Sequence, residues 1–122
     1  MSKFKGKTAI ISGGAEGIGL SVAKALGEQG MNIVLTDIDQ KNLEIASKGL
    51  EESGVPVLAE RLDVADEKQW QHVAKKASER FRKVHMVVNN AGVGGDSVSV
   101  DNQEKKGWQW TLDVNLMGVV YG

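Results

Sequence analysis

Ile10-Ile11-Ser12-Gly13-Gly14-Ala15-Glu16-Gly17-Ile18-Gly19 is an apolar strand that runs into a glycine turn and then directly into a helix. Glycine is needed where backbone turns tightly and approaches a ligand with no Cβ in the way. The helix that follows aims its unpaired N–H groups and positive dipole end at the same point, which suits a phosphate. A nucleotide is the ligand this stretch implies.

Working outward, residues 8–12 are apolar without alternation, as in a central parallel strand covered on both faces. Over residues 17–29, Ile18, Val22, Ala25 and Leu26 form one apolar helix stripe, and Gly30 supplies the stop. Ile33-Val34-Leu35 reads as a second buried strand, closed by Thr36-Asp37. The spacing predicts a helix over 40–53, with Asp39 as N-cap and Leu43, Ala46 and Leu50 inward, ended by Gly54. Residues 55–62 give a third strand, with Pro56 at its start and Asp63-Val64 at its end. Asp66-Glu67-Lys68-Gln69 resembles a capping box, and Trp70, Val73, Ala74, Ala77 and Phe81 repeat on one helix face. Residues 84–88 form a fourth strand running into Asn89-Asn90-Ala91-Gly92. A loop over 93–105 leads to a last helix bearing Trp108, Leu112, Leu116 and Val119. This alternation predicts an α/β fold: a Rossmann-type doubly wound parallel sheet of order 3-2-1-4, in a single domain over 1–122.

Composition narrows the function. Hydrophobic residues at 41% and charged residues at 25% describe an ordinary globular chain, and a net charge of -1 offers no field for nucleic acid or an anionic membrane. With no cysteine, a disulfide framework and a thiolate metal site are both excluded. No signal-peptide h-region follows the basic start, and no apolar run nears the roughly 18 residues of a membrane span, so a soluble, cytoplasmic protein is expected. His72 and His85 stand apart, so no metal site is expected, and helical spacing assigns Trp108 and Trp110 to packing, not base stacking.

Asp37 lies at the end of the second strand, near the spacing at which a carboxylate accepts hydrogen bonds from both ribose hydroxyls of an adenosine. The alternative is a turn residue. A 2′-phosphate against Asp37 would meet like charge, and Glu16 adds a second acid with no nearby arginine to offset it. NAD is therefore preferred over NADP. Lys41 could weaken that preference, although a solvated face is its expected place.

Residues 12–19 resemble the Thr-Gly-x-x-x-Gly-x-Gly loop of the short-chain dehydrogenase/reductase family, with serine in place of the usual threonine. Asn89-Asn90-Ala91-Gly92, Leu62-Asp63-Val64 and Val114-Asn115-Leu116-x-Gly118 are similar to three further motifs of that family, in family order. The resemblance implies that Gly13, Ala15, Glu16, Gly17, Ile18 and Gly19 hold the cofactor together with Asp37. It implies that Asp63 and the N–H of Val64 read the adenine edge, and that Asn89, Asn90, Ala91 and Gly92 line the adenosine ribose and brace the sheet. Asn115 would be the catalytic asparagine of the family's Asn-Ser-Tyr-Lys tetrad.

The family's Tyr-x-x-x-Lys is not in this sequence, whose one tyrosine, Tyr121, is followed by Gly122. The chain thus looks like the first, cofactor-binding half of an oxidoreductase moving hydride between NAD(H) and a small alcohol or carbonyl substrate, without turnover by itself. A non-catalytic NAD-binding sensor or scaffold is the rival reading, and an S-adenosylmethionine-binding methyltransferase a third, against which Asn-Asn-Ala-Gly counts. The apolar last helix and the uncovered fourth strand predict self-association or partial unfolding of these residues alone. The family's habit of assembling through that helix implies a homo-oligomer, a dimer or tetramer.

Overall fold

The computed structural model describes residues 3–91. Four strands and three helices alternate: β1 (Thr8–Ile11), α1 (Gly17–Glu28), β2 (Asn32–Asp37), α2 (Gln40–Glu52), β3 (Val57–Arg61), α3 (Glu67–Phe81) and β4 (Met86–Val88). The sheet has the expected order β3-β2-β1-β4, and every neighbouring pair is parallel. All four carboxyl ends therefore open on one edge, where the connections to the helices gather.

Apolar cores on both faces explain why β1 and β2 carry unbroken apolar runs. Ala9, Ile11, Ile33 and Leu35 face one side with Leu43, Ala46 and Leu50 of α2, while Ile10 and Val34 face the other with Trp70, Val73 and Ala77 of α3. Period-two alternation divides each strand between the layers. At the far end of β4, His85 donates its backbone N–H to Thr8 O, and its Nδ1 accepts from Thr8 N at 3.0 Å. A ring nitrogen there does the work of a carbonyl and extends the β1–β4 pairing by one residue.

The helix boundaries follow their caps. Asp39 accepts from Asn42 N at the start of α2, and Asp66 accepts from Lys68 N and Gln69 N at the start of α3. The capping box is only half formed. The Gln69 side chain donates to Asp66 Oδ2 and accepts from Asp63 N at 2.8 Å instead of returning to Asp66 N. Gln69 thereby ties the end of β3 to α3.

The stripe expected on α1 holds at Val22 and Leu26, which pack against the core, and is corrected at Ile18 and Ala25. Ile18 is 76% exposed and Ala25 is exposed, while Gly19 and Ala23 are buried, with Gly27 one turn further on. A Cβ on Gly27 would come within 2.7 Å of Val55 Cγ2. Small residues four apart let α1 lie close to the glycine turn and to Val55, beside the larger Leu20, Val22 and Leu26 that pack against the core. Ala74 of α3 is likewise exposed.

Trp70 is buried, and its Nε1 donates to Val64 O at 3.0 Å, fixing the turn after β3. Trp70→Phe is expected to cost about 1–2 kcal/mol, from lost volume and an unpaired carbonyl. A urea midpoint unchanged from the parent chain would contradict that anchoring role.

Candidate functional site

At the end of β1 the chain turns through Ser12 and Gly13, the latter at φ 63°, in the left-handed region that favours glycine. The turn is stitched onto β2: Gly14 N donates to Thr36 O at 2.9 Å and Ala15 N to Asp37 Oδ2 at 3.1 Å. Thr36 Oγ1, itself buried, donates back to Ile11 O at 2.7 Å. Glu16 then opens α1 in an extended conformation, exposed and offering no side-chain cap, and no acid occupies the first turn. Both other helices carry an aspartate cap. Among the described residues, the first-turn amides of α1 are thus left with the helix dipole and no side-chain acceptor, the arrangement that favours an external anion.

The two spaced glycines divide the work. Gly17 has φ 60° and nothing within 4 Å of where a Cβ would stand, so its surroundings are open. Gly19 is the opposite. A Cβ there would collide with the Gly13 carbonyl oxygen and approach Asn90 Nδ2 to 2.6 Å. Ile18, between them, is an exposed apolar side chain on the rim.

Asp37 closes β2 beside this turn. It is half-buried, and its Oδ1 accepts from Asp39 N at 3.0 Å while Oδ2 holds Ala15 N. An ionised carboxylate has about four acceptor positions, so roughly two remain for a ligand's hydroxyls. Asp63, next along the sheet edge, accepts from Ala65 N through Oδ1, and no described group engages Oδ2. Val64 is buried, and among the described residues nothing accepts from its N–H.

The turn after β4 divides the asparagine pair. Asn89 is exposed and makes no described side-chain bond, whereas Asn90 donates through Nδ2 to Gly13 O at 3.0 Å. Buried Ser12 completes the joint, its Oγ accepting from Asn90 N at 3.1 Å and from Ala91 N at 3.2 Å. Ser12 and Asn90 thus brace the glycine turn. The available signal was a hydroxyl at the end of a buried strand, which needs partners.

The expectation of no nearby arginine is also corrected. Arg61 ends β3 in register with Asp37, and its Nε donates to Ile38 O at 3.1 Å. Lys41 sits exposed in the first turn of α2. His72 pairs with Glu60 at 3.5 Å, and among the described residues no group of three metal-ligating side chains occurs. Gly92, Asn115 and the last helix lie outside the described residues. So Gly13, Ala15, Glu16, Gly17, Ile18, Gly19, Asp37, Asp63, Val64, Asn89 and Ala91 all fall along the carboxyl edge of the sheet or on the turn beside it.

Known proteins share this arrangement. The sequence pattern described as short chain dehydrogenase matches residues 7–122. Cyclohexanol dehydrogenase of Acinetobacter sp. (strain SE19) is 35% identical over 98% of this chain and 48% of its own length. The NADP-dependent (R)-specific alcohol dehydrogenase of Lentilactobacillus kefiri is 37% identical over 98% of this chain and 47% of its own. Among solved structures, a short chain dehydrogenase/reductase from Burkholderia phymatum in complex with NAD superposes with a TM-score of 0.95 at 38% identity, covering 100% of this chain and 43% of that one. The chain thus spans about half the length of the relatives it matches. With the glycine turn, the sheet order and these likenesses in agreement, the chain belongs to the short chain dehydrogenase family.

Proposed function

We propose that this chain is the dinucleotide-binding part of an NAD-dependent oxidoreductase that moves hydride between NAD(H) and a small alcohol or carbonyl substrate. One observation carries the reading. The uncapped start of α1, the open shelf at Gly17 and the carboxylate of Asp37 share one edge of the sheet. Amide donors beside a carboxylate acceptor fit a diphosphate flanked by a ribose.

In this reading Gly13 to Gly19 receive the diphosphate, and Asp37 accepts from the adenosine ribose. Asp63 and Val64 N–H read the adenine edge, and Asn89, Asn90, Ala91 and Gly92 line the adenosine ribose and brace the sheet. When bound, the nicotinamide supplies the hydride acceptor or donor. Asn115 belongs to the catalytic set. The 122 residues contain no Tyr-x-x-x-Lys, so by themselves they hold cofactor without turning over an alcohol. Assembly as a homo-oligomer runs through the segment bearing Trp108 and Leu116.

Isothermal titration with NAD and NADP tests the reading. NAD is expected to bind, and Asp37→Ala to weaken it about 10- to 100-fold, since both ribose hydroxyls lose a charged acceptor. NADP should lose less, because the same change removes a like charge from its 2′-phosphate. No NAD binding by the parent chain overturns the function, and equal losses for both cofactors remove Asp37 from the ribose site.

A further inference from the structure

Arg61 is the last residue of β3, and Asp37, the last of β2, is its register partner. Register partners on parallel strands point to the same side of the sheet, so the two side chains emerge together at the carboxyl edge. The Arg61 guanidinium does not hang free. Its Nε donates to the carbonyl of Ile38, the residue directly after Asp37, at 3.1 Å. One nitrogen of the fork is thereby fixed, and the two Nη groups carry no described hydrogen bond. Among the described residues no carboxylate forms an ion pair with Arg61.

The carboxylate beside it is already shared. Ala15 N and Asp39 N each donate to one oxygen of Asp37, which draws its charge toward the glycine turn and the start of α2. Along the chain, Asp37 and Glu16 look like unopposed acids. In the fold the adjacent strand brings a permanent cation to the same corner. A guanidinium with an open fork is suited to a phosphate, which it meets with two parallel hydrogen bonds.

We propose that Arg61 is a specificity-determining residue, the counter-charge that lets this site accept a phosphate on the adenosine 2′-oxygen, so that NADP binds as well as NAD. The proposal rests on the dinucleotide reading of the site. Asp37 still favours the free ribose, and Arg61 narrows that preference.

The test compares ligands that differ only in the 2′-phosphate: 5′-AMP against 2′,5′-ADP, and NAD against NADP, titrated into the parent chain, Arg61→Gln and Arg61→Lys. Arg61→Gln is expected to weaken 2′,5′-ADP and NADP about tenfold, with 5′-AMP and NAD changing less than about threefold, the selectivity of one charge-assisted contact. Arg61→Lys keeps the charge and loses the fork, so its loss should fall between the two. Added salt should shrink the difference between parent and Arg61→Gln. Circular dichroism checks folding, and if Arg61→Gln is unfolded the intermediate loss in Arg61→Lys decides. NAD binding with a NADP-to-NAD ratio untouched by these substitutions overturns the role of Arg61 alone. Failure of the parent chain to bind either NAD or 5′-AMP overturns the dinucleotide reading and this proposal with it.

Discussion

Gly19→Ala is expected to abolish dinucleotide binding and to lower stability by about 3 kcal/mol, the upper range for forcing atoms into a packed interior. The added methyl would collide with the Gly13 carbonyl, which cannot retreat because Asn90 Nδ2 holds it at 3.0 Å. Relief requires moving α1 away from the turn, and that displaces the amides at the helix start. Gly17→Ala is the informative contrast. Its Cβ meets no atom within 4 Å, so the cost to folding is the left-handed φ alone, about 1–2 kcal/mol. Its effect on binding should exceed that, since the methyl occupies space open to a ligand. Urea unfolding and calorimetry with NAD on both variants separate the two roles. A Gly19→Ala chain as stable as the parent would refute the close approach of α1 to the turn.

This pair also shows what was legible along the chain. The order of elements, the sheet order and the position of Asp37 followed from apolar runs, glycine stops and one spacing, all local patterns. The inward face of α1 followed only in part: Val22 and Leu26 pack against the core, but apolar periodicity rewards large side chains. At Gly19, Ala23 and Gly27 the fold instead selects small ones, so that the helix can lie against the turn and Val55. Arg61, and the choice of Asn90 over Asn89 as the bracing residue, escaped for a related reason. Each meets its partner across adjacent strands, at Ile38 and Gly13, and such contacts have no fixed sequence separation to read. Asn89 and Asn90 are chemically identical on the page; only the direction of the strand end decides which one turns inward. The resemblance of residues 12–19 and 89–92 to family motifs located the joint without showing that Ser12 is its centre.

That centre supports the second large effect. Ser12→Ala is expected to cost about 2–4 kcal/mol, since Ser12 is only 1% exposed and its Oγ accepts from two backbone amides, Asn90 N at 3.1 Å and Ala91 N at 3.2 Å. A methyl accepts neither, and each partly buried N–H then bears its own desolvation cost. Ser12 N remains bonded to Val88 O at 3.1 Å, so the β1–β4 register should survive while the turn after β4 loosens. Once Asn90 is released, the Gly13 carbonyl loses its donor and the glycine turn becomes less ordered. NAD affinity should fall although Ser12 touches no ligand in the proposed arrangement. Thr36→Val serves as the control. It removes another buried hydroxyl, one that donates to Ile11 O at 2.7 Å, and leaves behind a carbonyl, which tolerates underuse better than an amide does. Its cost should be nearer 1 kcal/mol. Hydrogen exchange gives the specific readout: the Asn90 and Ala91 amides should lose protection in Ser12→Ala and keep it in Thr36→Val. If both substitutions cost the same and those amides stay protected, the brace between β1 and the turn after β4 lies elsewhere.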